Sequence, residues 1–556
     1  MNSIPSSILR NSQSEAGYFM LKRGQSNYSV SSQLIIWVTL ICLILTTTLE
    51  AAPKKKKKAP PLNLPPLKTQ EQKMQLLGYI RQTMPTRRIA SRISFSSADL
   101  DKALEQELGP ATKSFAKIID DETFIRRVYL DLTGELPSPE RISSFTSSQS
   151  RRKRSILIDE LLETEAYARK WARYWTSVIF YDSEANKNRI SPQALEDWLT
   201  EQFQKGAPWD YITVMLISAT PQRNKKVRND YGQKYGPNNF VLACENKSTE
   251  LASQTARIFM GISIKCAECH DHPFDNWKRE QFHELAAFFH PYTYKMPDKD
   301  DPTVKTTVKP RFLLGEKPYE TMKSDARRVS IAAYLAYNPK NYWFARAYVN
   351  RIWSEVIGDG FYDVDSLGPD SDVMHKPVVN RIAANFRYKD FDPKWVFRLI
   401  MNSQVYQREM RTISSTSELF TAIRPSRLRP DVVAASVKNL TGEDKNLRKE
   451  IMQVFDMNPS LPQGALEGSI QQALLLMNNA TLQSKLSASD LKKKLVTISA
   501  DEEMVQELYL NVLARHATDQ EVERNVSFLK ESKQRPEAID DLIWVLINST
   551  EFRTKR

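Results

Sequence analysis

Glycine is scarce in this sequence, at 16 of 556 residues. Strand-rich folds need many tight turns, and glycine serves most of them. Its scarcity argues against an all-β architecture and toward helices. Cysteine is scarcer still, with four residues, and histidine numbers six. A chain of this length does not need disulfides to fold, so a disulfide-built scaffold is excluded. The Gly-x-Ser-x-Gly elbow, the phosphate-binding loop and the dinucleotide fingerprint are all missing, which removes the usual sequence marks of those hydrolase and nucleotide-binding classes. Zinc-finger spacing, a basic zipper and aromatic-interleaved basic motifs are missing too. The net charge of +13 is therefore read as solvated charge, and no nucleic-acid partner is expected. Much of that excess lies in two short runs, 54–58 and 151–154, and like-charge blocks are usually tails or exposed faces.

One apolar run stands out, at 34–45, preceded by Arg10, Lys22 and Arg23. Its twelve residues suit a signal-peptide core and are short for a membrane span. Ala51 and Ala52 offer a cleavage site. The alternative is an uncleaved anchor with the run extended to Leu49. Either way the protein is expected to be exported, periplasmic or secreted, with membrane contact only through an uncleaved N-terminal segment. Cys42 follows Ile41 rather than a small residue, so it is not read as a lipid-attachment site.

The expected fold is mainly α, a multidomain helical protein with little sheet. A signal peptide or anchor (1–52) precedes a Pro- and Lys-rich linker (53–92). A first helical domain (93–300) is followed by a linker or short hairpin (301–324) and a second helical domain (325–556). The stretch 155–181 carries Leu157, Leu161, Tyr167, Trp171 and Trp175 close to helical spacing, and this aromatic stripe is read as core. Further helices are expected at 194–204, 249–261, 279–289, 325–337, 343–357, 393–409 and 469–486. Ser499 with Glu502 and Thr518 with Glu521 read as capping boxes. The partly alternating 303–314 reads as a hairpin or extended crossing. Tyr129, Leu130 and Asp131, followed by Ser138, are echoed by Tyr509, Leu510 and Asn511, followed by Thr518; a shared helical-hairpin corner explains this. The carboxylate pairs Asp120–Asp121 and Asp363–Asp365 are read as caps and surface salt links.

Chemistry concentrates in one window. Four of the six histidines (His270, His272, His283, His290) lie there beside Cys266 and Cys269. Cys266-x-x-Cys269-His270 is the pattern of c-type haem attachment: two thiols three residues apart each join one vinyl group, and the next histidine ligates iron. On this reading Cys266, Cys269 and His270 bind haem c, and His283, His290, Met260 and Met296 are candidates for a sixth ligand. A second reading is zinc or another divalent metal held by the cysteines with a choice of His270, Asp271, His272, Asp275, His283 and His290, although six residues separate the last two histidines where three to five are usual. A third is a disulfide or a purely structural cluster. Catalytic residues are not assigned. The expected partner is a redox protein on the first reading. A metal-dependent enzyme of the envelope or of acidic polysaccharide is the alternative, and an interaction protein with a Cys-x-x-Cys clip is a third class.

These residues also carry a resemblance. Phe124-Ile-Arg-Arg-Val-Tyr-Leu-Asp-Leu-Thr-Gly-Glu-Leu-Pro-Ser-Pro-Glu140 resembles the opening of the domain of unknown function fifteen-forty-nine, and Cys266 to Asp275 resembles its end. Phe344-Ala-Arg-Ala-Tyr-Val-Asn-Arg-Ile-Trp353, Asn402-Ser-Gln-Val-Tyr-Gln407 and Leu542-Ile-Trp-Val-Leu-Ile-Asn-Ser-Thr-Glu-Phe552 resemble the domain of unknown function fifteen-fifty-three. Together they are similar to the planctomycete secreted cytochrome-like proteins over about residues 95–556. The resemblance implies export, a planctomycete-type source and a cytochrome-like label; it implies no particular reaction. That label rests largely on the Cys-x-x-Cys-His pattern itself. Many relatives add an N-terminal cytochrome c domain that is not visible here. Where relatives often show Arg-Tyr-Ala-Asp, this chain has Phe180-Tyr181-Asp182-Ser183, so no role is carried to that stretch.

Overall fold

The computed structural model describes residues 67, 69–83 and 95–555, apart from 182, 228, 274, 319–321, 367–371, 413–414 and 416–417. The signal or anchor segment, Cys42 and most of the linker lie outside the described residues. Within them the chain is mainly α: twenty-three α-helices and two small two-stranded sheets. No helix among the described residues is long and apolar enough to cross a membrane.

Local chemistry sets where the helices start and stop. The stripe at 155–181 is two helices, Lys153–Leu162 and Glu165–Phe180, because Thr164 interposes an N-cap whose hydroxyl accepts from the Tyr167 N–H at 3.2 Å. The expected helix at 469–486 likewise breaks into Ile470–Asn478 and Ala480–Ser487, with Asn479 capping the second. Thr518 and Glu521 form a reciprocal capping box, as expected. Ser499 and Glu502 do not: that helix starts at Asp501, with Ala500 at its N-cap and no side-chain cap. The extended crossing is a strand, Lys305–Val308, paired antiparallel with Tyr294–Pro297.

Buried side chains form two clusters. The larger takes in residues from both sides of 301–324, including Trp171, Trp175, Trp209, Phe259, Trp343, Tyr348, Trp353 and Phe386. Trp175 stacks on Tyr348 at 5.7 Å, so the aromatic stripe is core. The smaller cluster gathers residues from Leu428 to Phe552 together with Leu130. Arg126, 2% exposed, ties the helix Asp121–Leu132 to this C-terminal part through the carbonyls of Leu513 (3.0 Å), Glu551 (2.8 Å) and Thr554 (3.3 Å). The basic run 151–154 is only half solvated. Arg151 and Arg152 are exposed, but Lys153 and Arg154 pair with Asp121 at 2.7 and 2.8 Å. Asp120 caps the same helix, as expected, whereas the salt link of Asp365 is buried rather than on the surface, because Arg351 and Arg257 meet it inside the fold.

Candidate functional site

The Cys-x-x-Cys-His stretch is held from below by apolar residues. The helix Ser248–Met260 ends at Gly261, whose φ of 69° turns the chain back. Ile262 and Ile264 are buried, and a single 3-10 turn, Lys265–Glu268, follows. In such a turn residues i and i+3 eclipse. Ala267 is fully buried and anchors it, while Cys266 and Cys269 are exposed, free thiols. His270 follows, also exposed; its Nδ1 lies 2.7 Å from the Asp271 carbonyl oxygen.

The residues beyond His270 brace this turn. Asp271 accepts from the Arg279 N–H and the Lys278 ammonium, each at 3.0 Å, and thereby caps the helix Arg279–Ala286. These bonds, the Arg279 N–H first, hold its carboxyl below the usual carboxylate range. The His272 N–H donates to the Trp277 carbonyl at 2.8 Å and closes the loop. His283 is 2% exposed, with Nε2 3.0 Å from the Glu268 carbonyl oxygen and Nδ1 2.7 Å from the Tyr294 hydroxyl. Burial lowers its pKa, which favours a neutral ring donating to Glu268 and accepting from Tyr294. His283 thus joins helix, 3-10 turn and hairpin.

Both His283 nitrogens being engaged, it is not available as an iron or metal ligand without breaking this link. Met260 is fully buried in the core. His290 is half-buried, with Nδ1 accepting from the Tyr292 N–H at 3.2 Å, and Met296 lies in the first strand of the hairpin. Asp275 keeps one buried carboxylate oxygen without a hydrogen-bond partner among the described residues. His270, Asp271, His272, Asp275, His283 and His290 are not brought to one point. Among the described residues no three His, Cys, Asp or Glu side chains gather as a metal site. The covalent elements of a haem site do fit: two accessible thiols on one turn, then a histidine whose Nδ1 is committed to a backbone carbonyl. That is the usual tether of a metal-bound imidazole, and it leaves Nε2 for iron.

A separate cavity of about 520 Å³ lies between the helices Asp121–Leu132, Glu165–Phe180, Trp343–Ile357 and Lys445–Val454. Sequence reading singled out none of its polar residues as functional. At its floor Asp131, 1% exposed, pairs with Lys555 at 2.5 Å and accepts from the Tyr406 hydroxyl at 2.9 Å. Lys170 donates to the Asp131 carbonyl, and Arg429 grips Glu355 with two nitrogens. The available signals were small: Lys170 interrupts an aromatic stripe, and Glu355 is the one acidic residue of the helix Trp343–Ile357.

Residues 99–294 match the family model PSCyt2, "Protein of unknown function (DUF1549)", and residues 327–450 match PSD1, "Protein of unknown function (DUF1553)". The chain belongs to the PSCyt2–PSD1 proteins. No curated protein and no solved structure matches it. The PSCyt2 part holds Cys266, Cys269, His270 and His283, and Lys170. The PSD1 part supplies Glu355, Arg429 and Asp431 to the cavity, so that cavity is built from both matched stretches.

Proposed function

We propose that this PSCyt2–PSD1 protein is an exported electron carrier with one covalently bound haem. Cys266 and Cys269 would hold the haem and His270 would ligate its iron. The observation that carries this reading is the pair of exposed thiols on one 3-10 turn, followed by a histidine with its Nδ1 tethered and its Nε2 open. The haem, when bound, supplies one-electron exchange at iron. The protein's own part is orientation. Ala267 pins the turn to the core, Asp271 fixes the His270 ring through its carbonyl, and His283 holds the Glu268 carbonyl from behind. Both thiols are exposed, so a haem held there would be accessible to a redox partner in solution.

The test is expression with haem-maturation machinery, followed by acidified-solvent extraction. A Soret band should stay with the polypeptide and disappear in the Cys266→Ser/Cys269→Ser double variant. A wild-type chain that loses all colour on extraction would sink the proposal.

A further inference from the structure

Two surface loops, 184–191 and 222–236, stand side by side and carry charge mostly of one sign. Asn239, fully buried, stitches them together. Its amide donates to the Gln233 carbonyl at 2.8 Å, and its side-chain oxygen accepts from the Ser191 N–H at 2.6 Å. Tyr231 joins them a second time. The guanidinium groups of Arg189 and Arg223, one from each loop, lie 5.3 and 5.4 Å from its ring centroid. The second loop also holds its own shape. The Asn224 N–H donates to the Asp230 carbonyl at 2.9 Å, and the Asn224 side-chain oxygen accepts from the Lys226 N–H at 3.0 Å. Lys225, Lys226 and Val227 lie between these closing residues, and all three are exposed, Val227 to 52%.

Six exposed cations gather on these loops: Lys187, Arg189, Arg223, Lys225, Lys226 and Lys234. None has an ion pair among the described residues, and the carboxylates around them are mostly engaged elsewhere. Asp230 accepts from the Gly232 N–H at 3.0 Å and from the Asn224 amide at 3.3 Å. Glu245 pairs with Lys247 at 2.5 Å. The helix Pro192–Gln204 packs against Gly236; on it Glu196 pairs with Arg173, Asp197 accepts from Gln193, and Glu201 pairs with Lys205. Of these neighbours only Glu184 has no partner of its own among the described residues. Like charges pinned side by side repel one another, and an anionic surface offsets that repulsion.

Any polyanion would meet the cations; the apolar tip chooses among polyanions. Val227 follows Lys225 and Lys226 directly. A soluble polyanion leaves its side chain in water. A lipid surface takes cations at its headgroups and an apolar side chain at the boundary beneath them. Tyr231, half-buried, and Tyr235, 45% exposed, are rings of the kind that sit at that boundary. The apolar run at 34–45 reads as a signal or an anchor, and either brings the chain to a membrane. We propose that these two loops dock the protein on a membrane surface rich in anionic phospholipid, in addition to any contact through the N-terminal segment. Arg189, Arg223, Lys225 and Lys226 meet phosphate headgroups, and Val227 seats among them.

The experiment mixes the full chain with vesicles of phosphatidylcholine, or with vesicles in which phosphatidylglycerol replaces half of that lipid. Trace acetylation of each lysine is then followed by mass spectrometry. Lys225 and Lys226 should react several-fold more slowly on the anionic vesicles. Lys493, an exposed lysine of the C-terminal part, should react equally on both. The N-terminal apolar run can hold the chain on either vesicle without creating this difference. The anionic lipid needed for half-protection should rise roughly fivefold for each charge removed in Arg189→Gln and Arg223→Gln, the scale of one basic residue at an anionic membrane. It should rise a few-fold in Val227→Ser. Equal acetylation on the two vesicle types overturns the proposal, and so does a Val227→Ser chain that docks like wild type. Protection by dissolved polygalacturonate with none on vesicles also overturns it and makes the loops a polysaccharide site. None of these readouts involves Cys266, Cys269 or haem, so this proposal and the electron-carrier reading fail independently.

Discussion

Asp365 shows how much a single buried carboxylate carries. It adopts a φ of 64°, unusual for a residue with a side chain, and meets Arg351, Arg257 and the Ser460 hydroxyl. Burial alone would raise its pKa, but Arg351 and Arg257 together hold it below the usual carboxylate value. Asp365→Ala strands Arg351, itself 2% exposed, and should cost about 3–5 kcal/mol in urea denaturation. Because the folded-state pKa is depressed, this stabilisation is present above the unfolded value near 4 and is lost as pH falls through the folded one. His283 acts at higher pH. Its folded pKa lies below the unfolded value near 6.5, so its stabilising bonds are intact above that value and are lost as pH falls below it. His283→Phe should remove the part of the loss of thermal stability between pH 7 and 5 that comes from this ring. The contrast between sites is physical. Cys266, Cys269 and His270 stand out in the sequence because the pattern that marks them is a fixed local spacing. Lys170 meets Asp131 from another helix, and Asp365 gathers Arg257, Arg351 and Ser460 from separate segments; no local pattern encodes those meetings.

At the scale of elements, periodicity located helices well and their breaks poorly. The run 155–181 keeps its stripe across Thr164, so the apolar pattern alone cannot see the interruption. The signal was the threonine itself, with its hydroxyl on the Tyr167 N–H. Thr164→Ala should cost about 1 kcal/mol, measurable by chemical denaturation. Ser499 and Glu502 met the spacing of a capping box, yet a helix that begins at Asp501 leaves that serine outside it. Glu521, in the box that forms, is also held by Arg515, and that tertiary bond gives its helix start a second anchor. A close approach between elements was also invisible in sequence. A side chain at Gly236 would place its Cβ 2.3 Å from the Trp198 Cβ and 2.7 Å from the Ala194 carbonyl oxygen. Gly236→Ala should therefore lower the melting temperature by forcing the helix Pro192–Gln204 away, and Gly236→Ser should lower it further.

Over the whole molecule, the helical class was legible from composition, because few glycines and long amphipathic stretches point the same way. The division of the core was not. Sequence patterning marked 301–324, but one buried cluster runs across that segment, and the second begins near Leu428. Burial partners are set by packing, which composition does not report. Native-state hydrogen exchange in rising urea should show the helices Pro430–Thr441, Asp501–Leu513 and Arg535–Asn548 opening together, separately from those of the larger cluster. Arg126→Met should widen the gap between the two openings.

The same Arg126 also orders events in time. Its bond to the Thr554 carbonyl joins positions 428 residues apart, and Lys555 reaches back to Asp131 beside it. Contacts this distant in the chain close slowly, because the loop entropy must be surrendered before they form. The turn bearing Cys266 and Cys269 needs only its neighbours, and it can take shape early. A chain stalled during synthesis between about residue 297 and residue 554 would therefore present a thiol-bearing turn above an unfinished cavity floor.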